Sequence, residues 1–165
     1  MIVADTNILS TFARVTAIDF LRQLCKSDRL YVTPATFNEL RRAVEVGCGF
    51  LAPTLAAIQS GIGLDLVELR REEILASKDL PRSLGAGEAE SIAVCLQRPG
   101  TRLLTNDKRA RNFCREHSIP CLDLPAILRG LWVRQVVSKE RVRQLLRLIE
   151  TEQGMVLKNK DAIFE

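Results

Sequence analysis

Histidine occurs once in this chain, at His117, and tyrosine and tryptophan once each, at Tyr31 and Trp132. A metal-free ribonuclease working through a histidine pair is thereby excluded. A Ser–His–Asp triad would need His117 beside a serine, and no nucleophile-elbow motif is present. His117 lies in a Glu-His-Ser stretch at the end of an expected helix, which suits a capping or surface role. Stacking platforms for single strands are poorly supplied, because Phe12, Phe20, Phe37, Phe50 and Phe113 read as core residues. There is no P-loop and no GxGxxG, and GCGFLAP (47–53) reads as a glycine-bounded loop. The cysteines number five, an odd count, and none has CxxC spacing. Neither a disulfide framework nor a structural zinc is expected, only reduced and mostly buried thiols. No apolar run approaches the roughly 20 residues of a membrane span. The start, MIVADTNIL, lacks a basic segment and is broken by Asp5, so a cytoplasmic location is expected.

What is present suits one domain. The 165 residues are 47% apolar and 27% charged, enough to bury a core. Net charge is +4 and the isoelectric point about 9.0, a mild bias toward polyanions. The bias is concentrated between Arg98 and Arg115. There Arg98, Arg102, Lys108, Arg109, Arg111 and Arg115 face Asp107 as the only acid.

Short apolar strands alternate with helices. MIVA reads as a buried strand ending at Asp5. Thr6 or Asn7 caps the helix that follows, with Leu9, Phe12, Ile18, Leu21 and Leu24 on its apolar face. LYVT (30–33) is a second strand, and Pro34 opens a helix at its first turn. Further helices are expected from about Pro53 to Ser60 and over 70–79, with LDLVEL (64–69) as an edge strand between them. Gly85 and Gly87 mark a turn before a helix from Glu88 to Gln97, whose inner face is Ile92, Ala93 and Leu96. RLLT (102–105) is a strand, followed by a basic amphipathic helix from Asp107 to His117. IPCLD (119–123) is another strand. Helices over about 125–131 and 138–152 and a polar tail from Gly154 complete the chain, with the core within about 1–130. This order implies right-handed crossovers and a mostly parallel sheet in an α/β fold. In such sheets the carboxyl ends of the strands form the functional edge. Asp5 and Asp107 each follow a strand, so both are expected on that edge.

Converging carboxylates repel one another unless protons or a cation neutralise them. A hard ion such as Mg²⁺ or Mn²⁺ takes oxygen ligands, acidifies a bound water and offsets charge on a phosphate. Taken alone, each acid has an ordinary explanation. Asp5 and Asp107 are capping acids by position, and Glu39 has Arg42 one turn on. Glu88 and Glu90 sit in a helical first turn at a spacing that keeps them off one narrow face.

The combination of MIVADTNIL, PATFNELRR, LGAGEAESIAV and RLLTNDKRAR resembles the PIN domain over roughly residues 1–130. The resemblance implies a three-layer α/β/α sandwich and metal-dependent cleavage of single-stranded RNA. In many members this is the activity of a toxin, paired with an antitoxin and often dimeric. It places the first catalytic acid at Asp5, with Asn7 supporting it, and the second at Glu39. The fourth is Asp107, preceded by Thr105 and Asn106. For the third there are two candidates, Glu88 after the turn glycine and Glu90 closer to the register of other members; Glu88 is favoured, with Glu90 as a second ligand or a water-positioning group. Asp5, Glu88 and Asp107 are the expected ligands of one or two Mg²⁺ or Mn²⁺ ions. Lys108, Arg109 and Arg111 stand where flanking phosphates would be held. Lys108 and Arg109 also stand where many members carry a further acid. That departure supports a second possibility, a non-catalytic module that binds RNA or a protein partner. A receiver-like phosphotransfer domain would need a mid-chain acceptor aspartate and a late lysine, and no convincing set is present.

Overall fold

The computed structural model describes residues 1–154, 156–158 and 160–165. Five short strands, β1 (Ile2–Ala4), β2 (Leu30–Val32), β3 (Leu64–Leu66), β4 (Arg102–Leu104) and β5 (Cys121–Leu122), form one sheet. The order is β3-β2-β1-β4-β5, and every neighbouring pair is parallel. Parallel neighbours need long crossovers, supplied by α1 (Thr6–Arg14), α2 (Ile18–Cys25), α3 (Pro34–Glu45), α4 (Ala52–Ser60), α5 (Arg71–Asp79), α6 (Ala86–Gln97) and α7 (Lys108–Glu116). After β5 come α8 (Leu124–Val133), α9 (Lys139–Gln153) and the single turn α10 (Asp161–Phe164). Among the described residues no helix is long and apolar enough to cross a membrane.

The pleat sorts the core into two layers. Val3 and Leu103 point to one face and pack with Ile92, Val94, Ala110 and Cys114 of α6 and α7. Ala4, Leu104, Leu30 and Val32 point to the other. They pack with Ile8, Leu9 and Phe12 of α1, Leu21 and Leu24 of α2, Ile127 and Leu131 of α8, and Val142 of α9. This is the expected three-layer α/β/α arrangement, with β3 at the sheet edge.

Several local expectations are revised. The first helix is two, α1 and α2, separated where Thr16 takes a φ of 55° and the Ala17 amide donates back to Phe12 O at 2.8 Å. The cap of α1 is neither Thr6 nor Asn7 but Asp5, whose Oδ1 accepts from the Ile8 amide at 2.8 Å. Helix α6 begins at Ala86, so Gly87 lies inside it instead of marking a turn. Leu96, expected inward, is exposed; α6 buries Ser91 to Cys95 together because it packs on neighbours as well as on the sheet. The polar tail returns to the body. Ile163 is buried, and the Trp132 indole N–H donates to Ile163 O at 2.7 Å. Of the phenylalanines read as core, Phe12 is fully buried, while Phe20, Phe37, Phe50 and Phe113 are half-buried. All five cysteines are free, and His117 sits exposed at the end of α7, stacked on Phe113.

A buried ion pair fastens α5 to the far end of α6. Glu73 is fully buried. It takes the Arg98 Nε at 2.5 Å and Nη2 at 2.8 Å, and the Arg70 amide at 2.7 Å. The Arg98 side chain holds the Glu73 carboxyl below its ordinary range, with burial opposing. We expect Glu73→Ala to lose about 3 kcal/mol in urea denaturation at pH 7, because Arg98 is left unpaired. The depressed value also fixes the pH window. The stabilisation is complete above the ordinary glutamate pKa of about 4.3 and is lost as pH falls through the lower folded value. Below that window the wild type and Glu73→Gln should converge.

Candidate active site

The strand order reverses direction between β1 and β4. From β1 the chain builds outward to β2 and β3, and on the other side to β4 and β5. A crevice opens above such a reversal, at the carboxyl ends of the two strands. Asp5 follows β1 directly, and its amide donates to Leu104 O of β4 at 3.0 Å. Asp107 follows β4 by three residues and caps α7, accepting from the Ala110 amide at 2.8 Å. Thr105, fully buried, ties the two ends together. Its hydroxyl donates to Asp5 Oδ2 and accepts from the Asp107 amide at 3.1 Å.

Two glutamates join from the helices. Glu39 on α3 is held by both oxygens: the Thr6 hydroxyl donates to Oε2, and the Gly87 amide donates to Oε1 at 3.0 Å. Gly87 has to be glycine for this contact. A Cβ there would stand 2.9 Å from Thr36 Oγ1 and 3.1 Å from each Glu39 oxygen. Glu88, in the first turn of α6, feels the charges of Asp107 and Glu39, with its carboxylate folded back over the Gly85 end of the helix. Glu90 does not join them: its Oε2 accepts from the Ala35 amide at 2.8 Å, at the start of α3. Two residues apart on a helix is about 200° of rotation, so the two acids point to opposite sides. Thr6 and Gly87 are site residues that the sequence alone does not single out. The one signal it carries is a glycine inside a helical pattern, which commonly marks close packing.

The electrostatics follow from burial and crowding. Asp5 is 2% exposed. Burial pushes its pKa up from 3.8 to about 6, against the Ile8 and Thr105 hydrogen bonds, with the charges of Glu88 and Asp107 adding to the rise. Burial also raises Glu88, followed by the charges of Asp107 and Glu39. Among the described residues no lysine or arginine forms an ion pair with any of these four acids.

The basic residues nearby are partly committed. The Arg111 guanidinium pairs with Asp123 at 2.5 Å, and Arg109 Nη1 donates to Ser83 O at 2.8 Å. Lys108 is exposed at the start of α7. Asn106 Oδ1 accepts from the Leu124 amide at 3.4 Å, securing the start of α8. Asn7 is exposed and lines a groove that reaches Glu88.

Among the described residues, no three acidic, cysteine or histidine side chains lie close enough to form a ready ligand set. Several carboxylate oxygens are turned instead onto protein donors, as the Asp5, Glu39 and Asp107 contacts above describe. By chemistry the residues fit a hard divalent cation. The donors are all oxygens, the crevice holds net negative charge, and burial lifts its innermost acid, with the charges of Glu88 and Asp107 adding to the rise. In EDTA, the raised Asp5 value predicts a stability that falls as pH rises. The folded state prefers the protonated form, so the penalty is absent below the unfolded pKa of about 3.9 and complete above pH 6. A rise of that size corresponds to about 3 kcal/mol. We expect Asp5→Asn to equal the wild type near pH 4 and exceed it at pH 8 in urea denaturation. An equally steep decline in the variant would contradict the assignment.

A family model, DUF3368, described as a PIN domain, matches residues 1–161. No curated protein matches the chain, and no solved structure matches it. The match spans nearly the whole sequence and agrees with the parallel sheet and its acidic crevice: the chain belongs to the PIN-domain family and has a nuclease-type fold.

Proposed function

We propose that this protein is a metal-dependent endoribonuclease that cleaves single-stranded RNA in the crevice above β1 and β4. The observation that carries the reading is the set Asp5, Glu39, Glu88 and Asp107 about one crevice, with no lysine or arginine ion-paired to any of the four among the described residues. Burial and the charges of Glu88 and Asp107 raise Asp5, and burial and the charges of Asp107 and Glu39 raise Glu88. Asp5, Glu88 and Asp107 would hold Mg²⁺ or Mn²⁺, as one ion or two. The ion supplies polarisation of the scissile phosphate and acidification of a water. Thr105 positions Asp5 against Asp107, and Thr6 with the Gly87 amide fixes the Glu39 carboxylate at the rim. Glu90, engaged at the start of α3, serves the scaffold. Lys108, exposed beside Asp107, is the best placed of the basic trio to hold a flanking phosphate; Arg111 and Arg109 already have partners.

A toxin role with an antitoxin partner, and a homodimer, extend the same reading. The non-catalytic alternative draws on the Lys108-Arg109 pair directly after Asp107, where the resemblance implies a further acid in many members. Cleavage of a labelled single-stranded RNA separates the two. We expect EDTA to abolish cleavage and Mn²⁺ to restore it. Asp5→Asn, Glu88→Gln and Asp107→Asn should each lower kcat by at least about a hundredfold, the scale of losing a main electrostatic contact to the reacting phosphate. Glu90→Gln should keep kcat within a few-fold. Full activity in purified Asp5→Asn, or equal losses in Glu88→Gln and Glu90→Gln, would overturn the assignment.

A further inference from the structure

Helix α1 presents an unbroken polar stripe. Thr6, Asn7, Ser10, Thr11 and Arg14 recur at spacings that share one helix face, opposite the core residues Ile8, Leu9 and Phe12. The stripe floors a groove of about 410 Å³ that begins at Glu88 and ends at Arg14. Thr11 is 2% exposed as a residue and lines the groove.

Arg14 is also the wall of a second cavity. This pocket, about 430 Å³, is lined by Phe50, Ala57, Ile62 and Leu64, with Arg22 at its rim. That volume falls in the range of small-molecule sites. The Arg14 guanidinium lies over the Phe50 ring, 4.0 Å from its centroid. The single acid of the lining, Asp19, is neutralised by Arg22 at 2.6 Å. The polar groove and the apolar pocket share Arg14 as a wall, and a path across Arg14 would lead from Glu88 to the Phe50 ring.

We propose that this path is the track for the single-stranded RNA flanking the scissile phosphate, with an unpaired base entering the Arg14–Phe50 pocket. The proposal rests on the nuclease reading above for the location of the scissile phosphate. Three physical points select RNA. Thr6 to Arg14 spans about 12 Å of helix, the length of about three or four stacked nucleotides at about 3.4 Å each. Hydroxyl and amide side chains along the stripe suit sugar and phosphate oxygens. A π-face beside a guanidinium suits any base. An acidic partner would meet Glu88 at one end of the groove, whereas RNA would meet the metal held there.

The test reads binding without turnover. A fluorescein-labelled short single-stranded RNA is titrated with the protein in Ca²⁺, a hard oxygen-ligated ion in place of Mg²⁺ or Mn²⁺, and followed by anisotropy, with a gel to check that the RNA stays intact. Arg14→Ala and Phe50→Leu should each raise Kd about tenfold, the scale of one base–aromatic stack. Thr11→Val, which keeps shape and removes only the hydroxyl, should raise it about threefold, the scale of one hydrogen bond. Arg129→Ala, outside the groove, should leave it unchanged and so separates the track from general charge. Circular dichroism confirms that each variant is folded. An unchanged Kd in Arg14→Ala and Phe50→Leu overturns the proposal and leaves the pocket to an apolar partner segment. No RNA binding by the wild type also overturns it. Weakened binding in a protein that shows no metal-dependent cleavage would keep the track and sink the catalytic reading instead.

Discussion

Carboxylate repulsion is the constraint around which the crevice is built. Parallel strands deliver Asp5 and Asp107 to one edge, and the reversal of strand order places their strands side by side. Helices α3 and α6 then bring Glu39 and Glu88 to the same place. Burying negative charge so close together is unfavourable: burial first, and the neighbouring carboxylates in addition, lift Asp5 and Glu88. Hydrogen bonds from Thr105, Thr6 and the Gly87 and Ile8 amides orient the acids without removing their charge. Only protons or a cation can do that.

The surroundings serve this arrangement. The same capping aspartate recurs after β1, β4 and β5, at Asp5, Asp107 and Asp123. Each gains from the helix dipole, yet their fates differ. Asp123 is paired with Arg111 and so is neutralised within the protein, whereas Asp5 and Asp107 are left facing the crevice. The Glu73–Arg98 pair anchors the far end of α6, and with it the turn that carries Gly87 and Glu88.

Much of this is legible in the amino-acid order alone. Asp5 and Asp107 are placed by an elementary rule, because short apolar strands announce a parallel sheet and the residues just after them line its working edge. The sheet, the basic helix after Asp107 and the exposed His117 are readable for the same local reasons. What stays hidden depends on contacts between distant segments. Whether Glu88 or Glu90 faces the crevice turns on where α6 begins, and the glycines disguise that start. Gly87 reads as a turn residue because its reason for lacking a side chain lies 48 positions away, at Glu39. Glu39 itself is placed only by likeness, since nothing in PATFNELRR announces that Thr6 will reach it. The tail misleads through composition: its polar residues hide the buried Leu157 and Ile163, the latter held by the Trp132 indole.

Calorimetric titration of Mn²⁺ into EDTA-stripped, desalted protein tests the central claim most directly, because it asks whether the acids await a cation. We expect saturable binding well below millimolar Mn²⁺ in the wild type and in Glu90→Gln, and its loss in Glu88→Gln and Asp107→Asn. Binding absent below millimolar Mn²⁺ in the wild type, or undiminished in Glu88→Gln and Asp107→Asn, would contradict it.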